Sequence, residues 1–289
     1  MKRLTLLLAT AIICSTVSAQ NEDEKKQKDT IHIGGMIIVK QGKNKNGKEI
    51  TIGKDHKPRK RSNISTNWWI LDLGFANYDD KTNYSTAGSY LVNRPGSPAL
   101  GKEDFKLRTG KSINVNIWVF MQRLNLVKHY VNLKYGLGVE LNNYRYKSIS
   151  SLSYREGGVI PYSGGTQTNA PFIFRDSISF SKNKLAADYL TVPLMLNFTS
   201  HGDNSKKGVS LSVGVSAGYL YSQRNKQNSG ERGKHKNKGD YDLERFKFSY
   251  VAELGLGPVR FYGSYSPRSM YEKSLDIRPY AVGFRFSNW

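Results

Sequence analysis

The sequence predicts an all-β fold: an eight-stranded antiparallel transmembrane β-barrel preceded by a short N-terminal periplasmic hairpin and linker. Three observations predict it. Eight segments alternate apolar and polar side chains with period two, the signature of a strand that buries one face and solvates the other. One of them, residues 131–142 (VNLKYGLGVELN), keeps this up for twelve residues, where a tilted strand crossing a bilayer needs roughly 9–11. The connections between segments alternate long and short, as in outer-membrane barrels with long external loops and short periplasmic turns.

The chain opens with Lys2-Arg3, an apolar run over residues 4–17 and Val17-Ser18-Ala19. A basic head, an apolar stretch and a small-x-small site predict a secretory signal peptide, 1–19, cut after Ala19. Cys14, the one cysteine, follows Ile13 where lipid attachment expects a small residue. Cleavage removes it and leaves no disulfide framework, thiol nucleophile or cysteine metal site. The remainder is rich in tyrosine (18) and glycine (27) and poor in proline (9), which suits barrel strands and their turns. A formal charge of +21 would ordinarily suggest nucleic acid. Export argues against that, so no nucleic-acid partner is expected.

Residues 20–64 form the predicted periplasmic segment. Residues 20–29 (QNEDEKKQKD) carry no apolar side chain and predict a disordered start. Two β-branched runs, 31–39 and 49–52, flank a turn signal at Asn46-Gly47 and predict a hairpin. Residues 54–61 (KDHKPRKR) are basic and interrupted by proline. They read as a solvated linker or as a patch for anionic headgroups or an acidic partner.

The predicted barrel covers 65–289. Its strands fall at 68–75, 111–122, 131–142, 185–198, 209–221, 246–256, 259–265 and 277–289. In the first, Trp69, Leu71, Leu73 and Phe75 oppose Asp72 and Gly74. In the second, Ile113 through Met121 oppose Asn114, Asn116, Trp118, Phe120 and Gln122. The fourth contains Pro193, which cannot donate to a ladder and predicts a bulge there. The fifth sets Val209, Leu211, Val213, Val215, Ala217, Tyr219 and Tyr221 against serines and glycines. The long connections are 76–110, 147–184, 223–243 and 266–276; the short ones are 123–129, 199–208 and 257–258. Eight strands enclose a space that side chains fill, so no wide pore is expected.

The polar faces carry Asp72, Lys134, Glu140, Lys247, Glu253, Arg260 and Arg285. In a narrow lumen these pair with one another, because an unpaired desolvated charge is costly. Trp68, Trp69, Tyr78, Tyr130, Tyr144, Tyr146, Tyr189, Tyr219, Tyr221 and Tyr265 lie near strand ends, which predicts aromatic girdles at the two interfaces. The five histidines fall in loops, turns or the N-terminal segment, and no nucleophile–base–acid set is evident. No catalytic residue, cofactor or metal is therefore expected.

Three stretches carry a family resemblance: residues 67–75 (NWWILDLGF), 189–194 (YLTVPL) and the aromatic C-terminus from Gly283-Phe284-Arg285-Phe286 to Trp289. Over about residues 65–289 the chain resembles the PorT-like group of Bacteroidetes outer-membrane barrels, with an OmpA-type eight-stranded barrel. Trp289 departs from the pattern, since its parity carries Arg285 and Ser287. The resemblance implies fold and location more than activity. The expected role is structural or interactive: envelope integrity, surface contact, or an accessory of a secretion or assembly complex. Expected partners are outer-membrane lipid or lipopolysaccharide and envelope proteins. A lipid-modifying barrel enzyme and a soluble exported lipocalin-like barrel are the alternatives.

Overall fold

The structure is a computed structural model in which residues 30–33, 36–40, 50–54, 62–147, 151–201 and 208–287 are described. The signal peptide, the 20–29 start, all but Lys54 of the basic linker, and Trp289 lie outside the described residues.

Two units are separate, Met1–Arg61 and Ser62–Trp289. In the first, the expected hairpin is a three-stranded antiparallel meander, Thr30–Ile33, Met36–Lys40 and Ile50–Lys54. The apolar run at 31–39 is thus two strands, paired from Thr30↔Val39 to Ile33↔Met36, where the sequence predicts one.

The second unit is the barrel. Its strands are β1 (Ile64–Asp80), β2 (Ile113–Val127), β3 (Val131–Arg145), β4 (Lys182–Thr199), β5 (Val209–Ser229), β6 (Phe246–Leu256), β7 (Val259–Tyr265) and β8 (Ile277–Phe286). Each pairs antiparallel with the next, and β8 returns to pair β1 from Ile277↔Asp80 to Phe286↔Leu71. The ring is closed, so none of the eight strands is left with a free edge along its whole length. The short turns and both ends of the ring lie at one rim. The four long connections lie at the other.

Leu190, Val192, Leu194, Leu196 and Phe198 of β4 point outward, as do Val209, Leu211, Val213 and Tyr219 of β5. Phe246, Phe248, Tyr250, Leu254 and Leu256 of β6 continue the band. A contiguous apolar exterior on this scale marks a surface made for lipid.

Four irregularities interrupt the ladders, one of them at Leu126 near the end of β2, and the other three shift the alternation within the wall. Trp69 has a left-handed backbone, φ 56°, an uncommon state for a bulky residue. Trp68 and Trp69 both turn outward, 60% and 72% exposed. Opposite them, β2 bulges at Val119 against β3, so Met121 points inward, fully buried, and not outward as the unbroken alternation predicts. The bulge expected at Pro193 is absent. Pro193 stays in register opposite Ser216, and the β4–β5 irregularity falls where Asp188↔Ser222 gives way to Tyr189↔Leu220. Tyr221 is the extra residue, and beyond it the outward positions of β5 become the even-numbered ones.

The strands also run further than predicted at the long-loop rim, β1 to Asp80 and β5 to Ser229. Residues 222–229 (SQRNKQNS) are polar on both faces, so they show no apolar alternation. Beyond the barrel β5 pairs with strand Gly233–Lys238. The long connections fold over this rim. Leu152–Arg155, Phe172–Arg175 and Leu91–Val92 make a small mixed sheet, and the hairpin of Gly158–Val159 and Gln167–Thr168 projects from it.

Candidate functional site: the filled barrel and its cap

The inward faces are built from polar residues at every second position, and the strand register brings them level. Asp72 on β1 lies opposite Arg285 on β8. Arg285 donates Nε to Asp72 Oδ1 at 2.7 Å and Nη2 to Oδ2 at 2.8 Å, a bidentate pair of the strong kind. Its Nη1 reaches Glu253 Oε2 at 2.6 Å. Glu253 also takes Lys134 Nζ at 2.6 Å and Arg260 Nη1 at 3.1 Å. One carboxylate on β6 thus ties together β3, β7 and β8. Higher in the lumen Lys247 pairs with Glu140, and Glu140 accepts Asn142 Nδ2 at 2.9 Å. All seven residues singled out by sequence face inward, and they fall into these two groups, with Asp72, Lys134, Glu253, Arg260 and Arg285 in one and Glu140 with Lys247 in the other.

Several partners are not singled out by sequence. Trp118 Nε1 donates to Asp72 Oδ2 at 2.8 Å, and the Arg285 guanidinium stands 5.5 Å over its ring. Gly138 makes room for this ring: a Cβ there would lie 2.7 Å from Trp118 Cε3. That close approach explains a glycine in the middle of β3. Asn114 bonds Asn142 at 2.8 Å and receives Tyr262 Oη at 2.5 Å. Ile70, Trp118, Met121 and Met195 form an apolar layer inside the barrel. The signal for these partners is parity: Trp118, Asn114 and Asn142 share the inward face. Among the described residues, a small cavity of about 30 Å³ is bordered by Trp118, Glu140, Thr191, Met195 and Arg285, a size that admits a water.

At the short-turn rim Asn132 Nδ2 reaches His129 O at 3.2 Å and Asn197 Oδ1 at 3.3 Å. The ring Nδ1 of His201, also in a turn there, is 3.1 Å from Ser200 Oγ.

The predicted girdle divides. Trp68, Trp69, Tyr130, Tyr219, Tyr221 and Tyr265 are exposed on the outer wall. Tyr144, Tyr146 and Tyr189 are buried, and Tyr78 is half-buried against the same cluster. These four sit on the inward parity of their strands, so they turn into the barrel mouth. There they meet Tyr90, Phe105, Tyr154, Tyr241 and Tyr271 from the long connections. Tyr78 Oη donates to the Phe105 carbonyl. The hydroxyls of Tyr146, Tyr154 and Tyr271 form a chain, the Tyr154–Tyr271 step being 3.1 Å, and Tyr90 Oη donates to Tyr241 O at 2.8 Å. The long connections are therefore a packed cap on the barrel.

Burial holds the phenols of Tyr90, Tyr154 and Tyr271 well above their ordinary range and pushes Tyr241 up to about 12. A raised folded-state value means that folding favours the neutral phenol. The cap's stability is complete below the ordinary tyrosine value of about 10 and declines as pH rises past it. In an alkaline titration these phenols are expected to ionise only as the cap opens, so phenolate absorbance and near-ultraviolet dichroism change together. Ionisation of all tyrosines near pH 10 with unchanged dichroism would contradict the packing.

A closed antiparallel ring with an apolar exterior and an ion-paired interior defines the class of transmembrane β-barrels. Residues 73–267 match the family model described as outer membrane protein beta-barrel domain. The chain belongs to that family, and it is an integral outer-membrane barrel protein. Among solved structures it is similar to Ail, the attachment invasion locus protein of Yersinia pestis, at 10% identity and a TM-score of 0.29, over 76% of this chain and 98% of that one. No curated protein matches by sequence.

Proposed function

We propose that the protein is a sealed outer-membrane anchor with a structural or interaction role, in envelope integrity, surface contact or support of a secretion or assembly complex. In this reading the signal peptide directs export, the capped rim faces outside, and both termini and the 20–64 segment are periplasmic. Catalysis has no part in it. The observation that carries the reading is the filled interior: two ion-paired groups across the lumen, an apolar layer beside them and a packed aromatic cap above. Such a barrel offers a rigid external face and no conduit.

Purified protein in planar bilayers is expected to give no discrete conductance steps; regular steps would overturn the sealed reading. Gly230, in the connection beyond β5, is exposed, and a Cβ added there meets nothing within 4 Å. Gly230→Cys is therefore expected to react with an impermeant maleimide on intact cells. Reaction only after outer-membrane permeabilisation would invert the orientation. Unchanged lipid composition in a deletion strain is the expected result against the lipid-modifying alternative.

A further inference from the structure

The bulge at Tyr221 has a chemical consequence. Without it, odd-numbered residues of β5 would stay outward and Arg224 and Lys226 would enter the barrel. With it, Asn225, Gln227 and Ser229 are buried inward, and Arg224 and Lys226 turn to the outside. Register then aligns cations on that face. Arg145 of β3 is the Cα partner of Lys184 on β4, Lys184 is the partner of Lys226 on β5, and Lys226 is the partner of Lys236 on the added strand. Directly paired residues share a face about 4.8 Å apart, so four cations stand in one row across four adjacent strands. The neighbouring rows add Arg224 beside Lys238, and Lys182 and Lys234 on either side of Asn228.

Like charges directly opposite one another destabilise a sheet. Three such steps in succession, in a barrel whose lumen pairs its charges closely, make a face that an anion outside the chain would stabilise. Among the described residues, the ion pair on this face is Arg224 with Asp188. Lys184 Nζ meets the neutral Asn143 Oδ1 at 2.8 Å. Position favours a membrane occupant. The row lies on the same outer wall as Leu190 and Tyr221, six residues along β4 and five along β5 past the end of the apolar band, about 15–20 Å of strand, and it faces sideways along the barrel wall. Cations at that height meet lipid headgroups, and each contributes about 1 kcal/mol toward an anionic surface.

We propose that the row Arg145–Lys184–Lys226–Lys236 is a binding face for phosphorylated glycolipid headgroups of the outer leaflet. The proposal rests on the orientation given above, with the capped rim outside. The test uses the full-length mature protein in phosphatidylcholine nanodiscs titrated with bisphosphorylated lipid A, with phosphate-free lipid A and with phosphatidylglycerol. Bisphosphorylated lipid A is expected to bind at least about tenfold more tightly than the phosphate-free form. The triple variant Lys184→Gln, Lys226→Gln and Lys236→Gln is expected to lose at least about tenfold of that affinity while keeping the gel mobility of the folded barrel. Lys102→Gln, Lys106→Gln and Lys273→Gln remove the same charge elsewhere on the cap and are expected to change it little. Equal binding of both lipid A forms, equal loss in both triple variants, or equal retention of phosphatidylglycerol would overturn the proposal. Cysteine labelling at position 230 separates the two readings: a barrel that binds lipid A in nanodiscs but labels only from the periplasm keeps the site and loses the orientation.

Discussion

Glu253→Ala is expected to destabilise the barrel by about 3–5 kcal/mol, the cost of breaking a buried ion pair from one side. Glu253 is 2% exposed and accepts from Lys134, Arg260 and Arg285 together. Its removal leaves those cations to share Asp72, which Arg285 already engages with two bonds. The readout is the urea midpoint in detergent micelles, followed by the mobility shift between folded and heated protein. The effect is non-additive: in a double-mutant cycle, Lys134→Met in the Glu253→Ala background is expected to cost less than in the native chain. A loss below about 1 kcal/mol would mean that water, rather than the partner charges, solvates this part of the lumen.

Leu194→Arg comes next in size. Leu194 is 49% exposed on the outer wall, at the centre of the outward run from Leu190 to Phe198. Arginine at the bilayer midplane of a barrel costs about 2–4 kcal/mol, falling to about 0–1 near the interface. Leu190→Arg, at the edge of the same face, is therefore expected to cost much less. Folding yield into vesicles as a function of urea measures both. Equal costs at 190 and 194 would show that the band is not centred where the fold places it.

Most of the barrel is legible in the sequence because its physics is periodic. A strand between lipid and a wet, narrow lumen must alternate, so residues 131–142 and 209–221 declare both their faces. The inward charges are legible for the same reason. Three things are not. Bulges leave no trace in composition: nothing in the sequence marks Val119 or Tyr221 as extra, so unbroken alternation sends Met121 to lipid, and Pro193 suggests a bulge it does not have. Polar strand extensions such as 222–229 lack the apolar face that makes alternation visible. The cap tyrosines are ambiguous by type, since Tyr144 and Tyr219 both lie near strand ends. Parity separates them, Tyr144 following Asn142 inward and Tyr219 following Ala217 outward, and parity is the better guide than residue type.

The claim that a lipid-facing apolar wall encloses an ion-paired interior is tested most directly by a nitroxide scan along β5. Single cysteines at positions 209–227, spin-labelled in liposomes, report the accessibility of each site to membrane-dissolved oxygen and to a water-soluble nickel complex. Oxygen accessibility is expected to peak at the odd positions from 209 to 219, with minima at 210, 212 and 216. Beyond Tyr221 the phase is expected to reverse, with 224 and 226 outward and accessible to nickel. Alternation of opposite phase, or none, would contradict the barrel described here, and an unbroken phase through 221 would remove the bulge that turns the basic row outward.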